Sequence, residues 1–124
     1  MKTITPVKIA IVAYPNALKS AIFGLEEMFL LANNLCQEQG LTTEFEIDIV
    51  DLVHIPHSDE SHVYTAVILP PSMESDFYLT PEPILTQWLM NKYQAGSILC
   101  SACAGAFIIA ATGLLDNREV TTHW

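Results

Sequence analysis

The sequence predicts an α/β fold in which a mainly parallel sheet lies between layers of helices, a three-layer sandwich. Residues 7–13 and 66–69 are short, almost uniformly apolar runs, as strands covered on both faces are. Amphipathic helical stripes follow such runs across links of only a few residues. Alternation of this kind builds a parallel sheet, because each helix carries the chain back to begin the next strand in the same direction.

The elements follow in order. Residues 7–13 form the first strand, and Tyr14-Pro15-Asn16 breaks it. Leu18, Ile22, Leu25, Phe29, Ala32 and Cys36 then recur at steps of four and three, the stripe of an amphipathic helix. Lys19, Glu26, Asn33 and Gln37 fall on its other side. Gly24 costs about 1 kcal/mol against Ala inside a helix, so the expected helix starts there after a shaped loop, and Gly40 stops it. Residues 44–49 alternate acidic and apolar, a strand with one solvated face. Residues 52–63 read as loops with a short strand, and 66–69 as a second buried strand ended by Pro70-Pro71. Residues 72–80 read as a loop. Pro81 and Pro83 suit a first helical turn, and Ile84, Leu85, Trp88 and Leu89 form the buried face that follows. Gly96 leads into a third buried strand at 97–100, a small-residue helix at 104–111, and a last short strand at 120–122. Trp88 and Phe107 read as core anchors. An α/β fold normally places a helix after such a strand, so the single domain, residues 1–124, is expected to be truncated at its C-terminus.

The chain has 124 residues, 51% of them hydrophobic and 15% charged, which argues against disorder. Its formal charge of −9 repels phosphate backbones. Nothing in it resembles a signal peptide or a membrane span, so a soluble, cytoplasmic protein without membrane contact is expected. Cys36, Cys100 and Cys103 make no disulfide framework.

The informative segment is 97–107, where an apolar strand runs into a helix through Ala102, Cys103, Ala104, Gly105 and Ala106. A nucleophile elbow needs small neighbours because its turn is so sharp. Cys103 would stand at the carboxyl edge of the sheet by a helix N-terminus, which favours thiolate. The N–H of Ala104 and of a neighbour could hold an oxyanion. The same small residues also suit a plain, tightly packed corner with a buried cysteine. His123 ends the next expected strand, about 5 Å from its neighbour in a sheet, and so within reach of Cys103; a solvated chain-end histidine is the other reading. Cys100 and Cys103 form a CxxC, a redox pattern elsewhere, although the strand position of Cys100 need not face Cys103. His54, His57 and His62, with Asp59 and Glu60, fit no strong zinc template. Neither metal nor cofactor is expected.

Residues 103–110 (CAGAFIIA) and 112–124 (TGLLDNREVTTHW) resemble the elbow region of the ThiJ/PfpI branch of the class I glutamine amidotransferase-like superfamily. More narrowly they are similar to the N-terminal domain of AraC-type transcription regulators with that fold. Residues 24–29 (GLEEMF) resemble the group's early Gly-Pro-x-Asp/Glu-Val-Phe segment, and 66–70 (AVILP) sits where its central strand does. The resemblance implies a flavodoxin-like sandwich with Cys103 as elbow residue and His123 as its partner, in a pocket bordered by Ala104, Gly105, Ala21, Glu27 and Pro70. Enzymatic members place an acid in the early loop, where this sequence has Ser20 and Ala21; Glu26 and Glu27 fall inside the helix. Glycine commonly follows the central strand in relatives, whereas Pro70-Pro71 offers no N–H.

The implied function is the ligand-sensing and dimerising domain of an AraC-type regulator. Its partners would be a small-molecule effector, a second copy, and DNA reached only through a helix-turn-helix region beyond these residues. The alternative is a cysteine-dependent hydrolase or hydratase using Cys103 and His123 on a small amide, nitrile-like or carbonyl substrate. A thiol sensor oxidised at Cys103 is a third reading.

Overall fold

The computed structural model describes residues 3–55 and 63–121. Expected features at 56–62 and 122–124, including His57, Asp59, Glu60, His62 and His123, lie outside the described residues. The elements run β1 (Thr5–Ala13), α1 (Lys19–Glu38), β2 (Thr43–Asp51), β3 (Ala66–Leu69), α2 (Ser75–Leu79), α3 (Pro83–Gln94), β4 (Ile98–Ser101) and α4 (Gly105–Ala110). The four strands pair in the order β2-β1-β3-β4, every pair parallel. This is the α/β sheet that the alternation of strand and helix predicts.

β1 is covered on both faces, since consecutive residues Ile9, Ala10, Ile11 and Val12 are all buried. The crossover through α1 runs outward to β2, and the crossover through α3 runs the other way, to β4. Right-handed connections in opposite directions place α1 and α3 on opposite faces of the sheet. Val67 and Leu69 of β3, Leu85, Trp88 and Leu89 of α3, and Ile108 and Ile109 of α4 complete the core. Trp88 is thus the anchor its helical position predicts.

Several expectations are corrected. α1 begins at Lys19 and carries Gly24 in its interior, exposed and with nothing within 4 Å of an added Cβ. Burial of Ile22 and packing of Leu25 against the core outweigh the propensity cost of one glycine. Gly40 does end the helix region, at φ 70°. Asn33 is half-buried on the side facing the sheet: its Nδ2 donates to the Phe45 carbonyl at 2.9 Å and its Oδ1 accepts the Phe45 N–H at 2.7 Å. The stretch expected to be a loop at 72–80 contains α2. β4 is not a buried strand; it ends the sheet, and Ile98 is 61% exposed. Residues 118–121 form no strand, so nothing described pairs with the outer side of β4. Phe107 is half-buried and stacks on Tyr78 rather than anchoring the core.

Candidate active-site elbow at the sheet switch point

Strand order reverses between β1 and β3: the chain leaves β1 toward one side and later returns to build on the other. In open α/β sheets the carboxyl ends of such a strand pair leave a crevice where ligands bind. Here the two loops bordering that crevice are tied together. Leu18 N–H donates to the Pro71 carbonyl at 2.9 Å, Ser72 Oγ to the Asn16 carbonyl at 2.8 Å, and Ala17 bridges Ser72. The Tyr14 hydroxyl, at the end of β1, donates to the Pro70 carbonyl at the end of β3.

Cys103 stands beside this crevice, on the turn that joins β4 to α4. Its φ is 51°, and its side chain is exposed. A residue other than glycine in this left-handed region costs on the order of 1–3 kcal/mol and is held there by its surroundings. Those surroundings are visible. The Ala102 N–H donates to the Leu69 carbonyl at 3.0 Å, and the Gly105 N–H to the Ala102 carbonyl at 3.0 Å. Gly105 lies so close to β3 that an added Cβ would meet the Leu69 carbonyl oxygen at 2.3 Å. Small residues at 102–106 therefore let the helix start against the end of β3, leaving the thiol projecting outward. Ala104, only 2% exposed, is the N-cap of α4, and among the described residues no backbone carbonyl accepts its N–H.

Aromatic rings flank the turn. Tyr14 stacks on Phe77 with ring centres 5.6 Å apart, and Tyr78 on Phe107 at 5.4 Å. Each such pair contributes about 1 kcal/mol beyond its buried area. Burial holds the Tyr14 phenol well above its ordinary value near 10, and the neighbouring Cys103 and Tyr78 push it the same way. Burial likewise raises Tyr64, helped by its 2.8 Å hydrogen bond to Asp48. A phenol that binds its proton more tightly when folded leaves stability unchanged below pH 10. Above that pH only the unfolded chain ionises, so stability falls as pH rises. Thermal melts from pH 9 to 11.5 should show that loss, and Tyr14→Phe should reduce its slope while costing about 1 kcal/mol at pH 7 for the lost hydrogen bond. A slope unchanged in Tyr14→Phe would remove Tyr14 from the effect.

The other expected residues are placed as follows. Ala21 is half-buried in the first turn of α1, where its N–H reaches the Leu18 carbonyl at 3.1 Å. That turn holds no acidic side chain. Glu27 is exposed in the third turn. Pro70 is fully buried, with its carbonyl taken by Tyr14. Cys100 is half-buried, and burial pushes its thiol up, which disfavours the thiolate. His54 is exposed and pairs with Asp51 at 2.8 Å, and the described residues contain no cluster able to hold a metal ion. Tyr14, Phe77 and Tyr78 were not singled out by the sequence. Their one signal is that aromatic residues occupy a strand end and an otherwise polar connection.

Comparison with known proteins agrees with the fold. The model of the DJ-1/PfpI family matches residues 28–124. A candidate transcriptional regulator of Vibrio parahaemolyticus superposes with a TM-score of 0.75 at 17% identity, over 96% of this chain and 68% of that one. A candidate protease I of Bacteroides thetaiotaomicron gives 0.64 at 16% identity, over 94% and 74%. A ThiJ/PfpI domain protein of Brachyspira murdochii gives 0.61 at 13%, over 98% and 71%. At these identities the likeness is one of fold. An uncharacterized protein in the cpoL 5' region of Streptomyces lividans is 38% identical over 42 residues, 34% of this chain and 30% of that protein. The matched part thus spans less than a third of that curated relative.

Proposed function

The chain belongs to the DJ-1/PfpI family, and on that footing we propose that it is the ligand-sensing domain of an AraC-type transcription regulator. A small-molecule effector occupies the crevice at Cys103, and the domain works in the cytoplasm as a homodimer. DNA contact falls to a helix-turn-helix region outside these residues, a division of labour that a charge of −9 supports. Effector binding biases the domain between conformations or assemblies, which the DNA-binding part reports.

One observation carries the preference for sensing over hydrolysis. Acyl-transfer chemistry needs N–H donors aimed at a developing oxyanion. The end of β3 presents Pro70 and Pro71, which have no N–H, and its carbonyls are engaged by Ala102, Tyr14 and Leu18. Pro70 and Pro71 therefore offer an oxyanion no donor. On the elbow side the Ala104 N–H has no backbone acceptor among the described residues, and the first turn of α1 brings no acid. No helix among the described residues is long and apolar enough to cross a membrane.

The test is a thermal-shift screen with small organic acids, amides and aldehydes, repeated on Cys103→Ala. A ligand at about 100 times its dissociation constant stabilises the folded state by about 2.7 kcal/mol. A non-covalent effector should shift the melting temperature of both proteins by several degrees, without being consumed. Turnover of a small amide, nitrile or carbonyl compound that disappears in Cys103→Ala would instead establish the hydrolase reading.

A further inference from the structure

We propose that the outward side of α1 is a self-association surface, on which α1 of a second copy lies antiparallel. Toward the sheet this helix buries Ile22 and packs Leu25 and Phe29 against the core. The side turned away from the sheet is apolar too. Phe23, Met28, Leu30, Leu31 and Leu35 are each between 51% and 62% exposed. At about 3.6 residues per turn, all five lie on the half of the helix opposite Ile22, Leu25 and Phe29. Single exposed apolar side chains are ordinary, whereas five on one side of a helix make a patch of the kind that marks an interaction site.

Area and charge commit the occupant to a second copy. The outward parts of these five side chains amount to roughly 500 Å² of apolar surface, and a standard interface takes about 800 Å² from each partner, a little over half of it apolar. α1 therefore holds on its own outward side the apolar area that one half of a dimer needs. Its first turn carries no acid and no side-chain cap, and its last turn carries no base but ends on Glu38. Each end thus lacks the charge that its dipole favours. An antiparallel copy brings Glu38 toward the partner's N-terminal turn and the partner's Lys19, whereas a parallel copy would set Glu38 beside the partner's Glu38. A two-fold axis beside Leu30 and Leu31 also places Leu30 against the partner's Leu31 and the exposed Glu27 against the partner's Asn34, so no two acids of this face oppose each other. The surface deepens the homodimer reading and rests on it, since it names the face through which two copies meet.

The test is sedimentation equilibrium of the 124-residue chain across the micromolar range, read as a dimer dissociation constant. The wild type should show a reversible monomer–dimer equilibrium. Leu31→Glu, at an exposed position beside the axis, should weaken the dimer about thirtyfold or more and leave the far-ultraviolet spectrum of the monomer unchanged. Asn34→Lys should tighten the dimer several-fold by pairing with the partner's Glu27, and Asn34→Glu should weaken it by a similar factor. Gln87→Lys makes the same change of net charge on exposed α3, across the sheet, and should leave the constant within about twofold of the wild type. A dimer that Leu31→Glu leaves intact overturns the surface while the homodimer reading stands. Asn34→Lys and Asn34→Glu acting in the same direction, or Gln87→Lys acting as strongly as Asn34→Lys, overturn the antiparallel pairing. A wild type that stays monomeric overturns both the surface and the homodimer reading, and leaves the patch to a different partner.

Discussion

Gly105→Ala is expected to lower stability by about 3 kcal/mol, at the upper end for overpacking by one methyl group. The contact is with backbone, the Leu69 carbonyl at 2.3 Å from the added carbon, so no side-chain rotation relieves it. Either α4 moves off β3 or the end of β3 bends. Both changes disturb the Ala102 N–H bond to Leu69 and the left-handed turn at Cys103. For a chain of this size the melting temperature should drop by roughly 10 °C, and the alkylation rate of Cys103 should change with it. Gly24→Ala serves as the contrast. That position is helical with open space around it, so the substitution should stabilise by a few tenths to about 1 kcal/mol. A Gly105→Ala protein that melts within two degrees of the wild type would show that the close approach does not constrain the elbow.

Ile108→Ala should cost about 3 kcal/mol, the usual range for emptying a fully buried aliphatic site. Ile108 is 0% exposed and, with Ile109, seats the six-residue α4 on the core. So short a helix has little stability of its own, and its burial is what fixes the elbow. Ile108→Val removes one methyl group and should cost about 1 kcal/mol. The pair of variants separates a cavity effect, graded with volume, from disruption of the helix, which would be all-or-none. Equal losses from both would argue against the graded cavity. Calorimetry gives the stabilities, and exchange of the α4 amides reports whether the helix has loosened.

The regular parts of this molecule are local in the sequence. The apolar residues 9–12, the alternation at 44–49 and the small residues at 102–106 each announce an element from within a few positions. Other features depend on what an element meets. Ile98 belongs to an apolar run that reads the same at the centre of a sheet or at its rim; only the strand order makes it exposed. α2 is one helical turn long and lies between proline pairs, too short for any periodicity to register. The partner of Tyr14 is a carbonyl 56 residues away, and nothing near Tyr14 marks it. At Gly24 local propensity pointed the wrong way, and tertiary packing prevailed. Within the candidate site, the sequence identifies the turn and its thiol, whereas the aromatic surround emerges only when the strand ends converge.

The two rims of the sheet are unlike. Along β2 the Asn33 side chain imitates a neighbouring strand, giving Phe45 both a donor and an acceptor, so that rim is satisfied at Phe45. β4 has no such imitator among the described residues, and a trough of about 870 Å³ runs beside it, from Tyr93 to Leu114 and Arg118. A strand added beside β2 would have to displace Asn33 from Phe45, whereas among the described residues no side chain is so placed along β4.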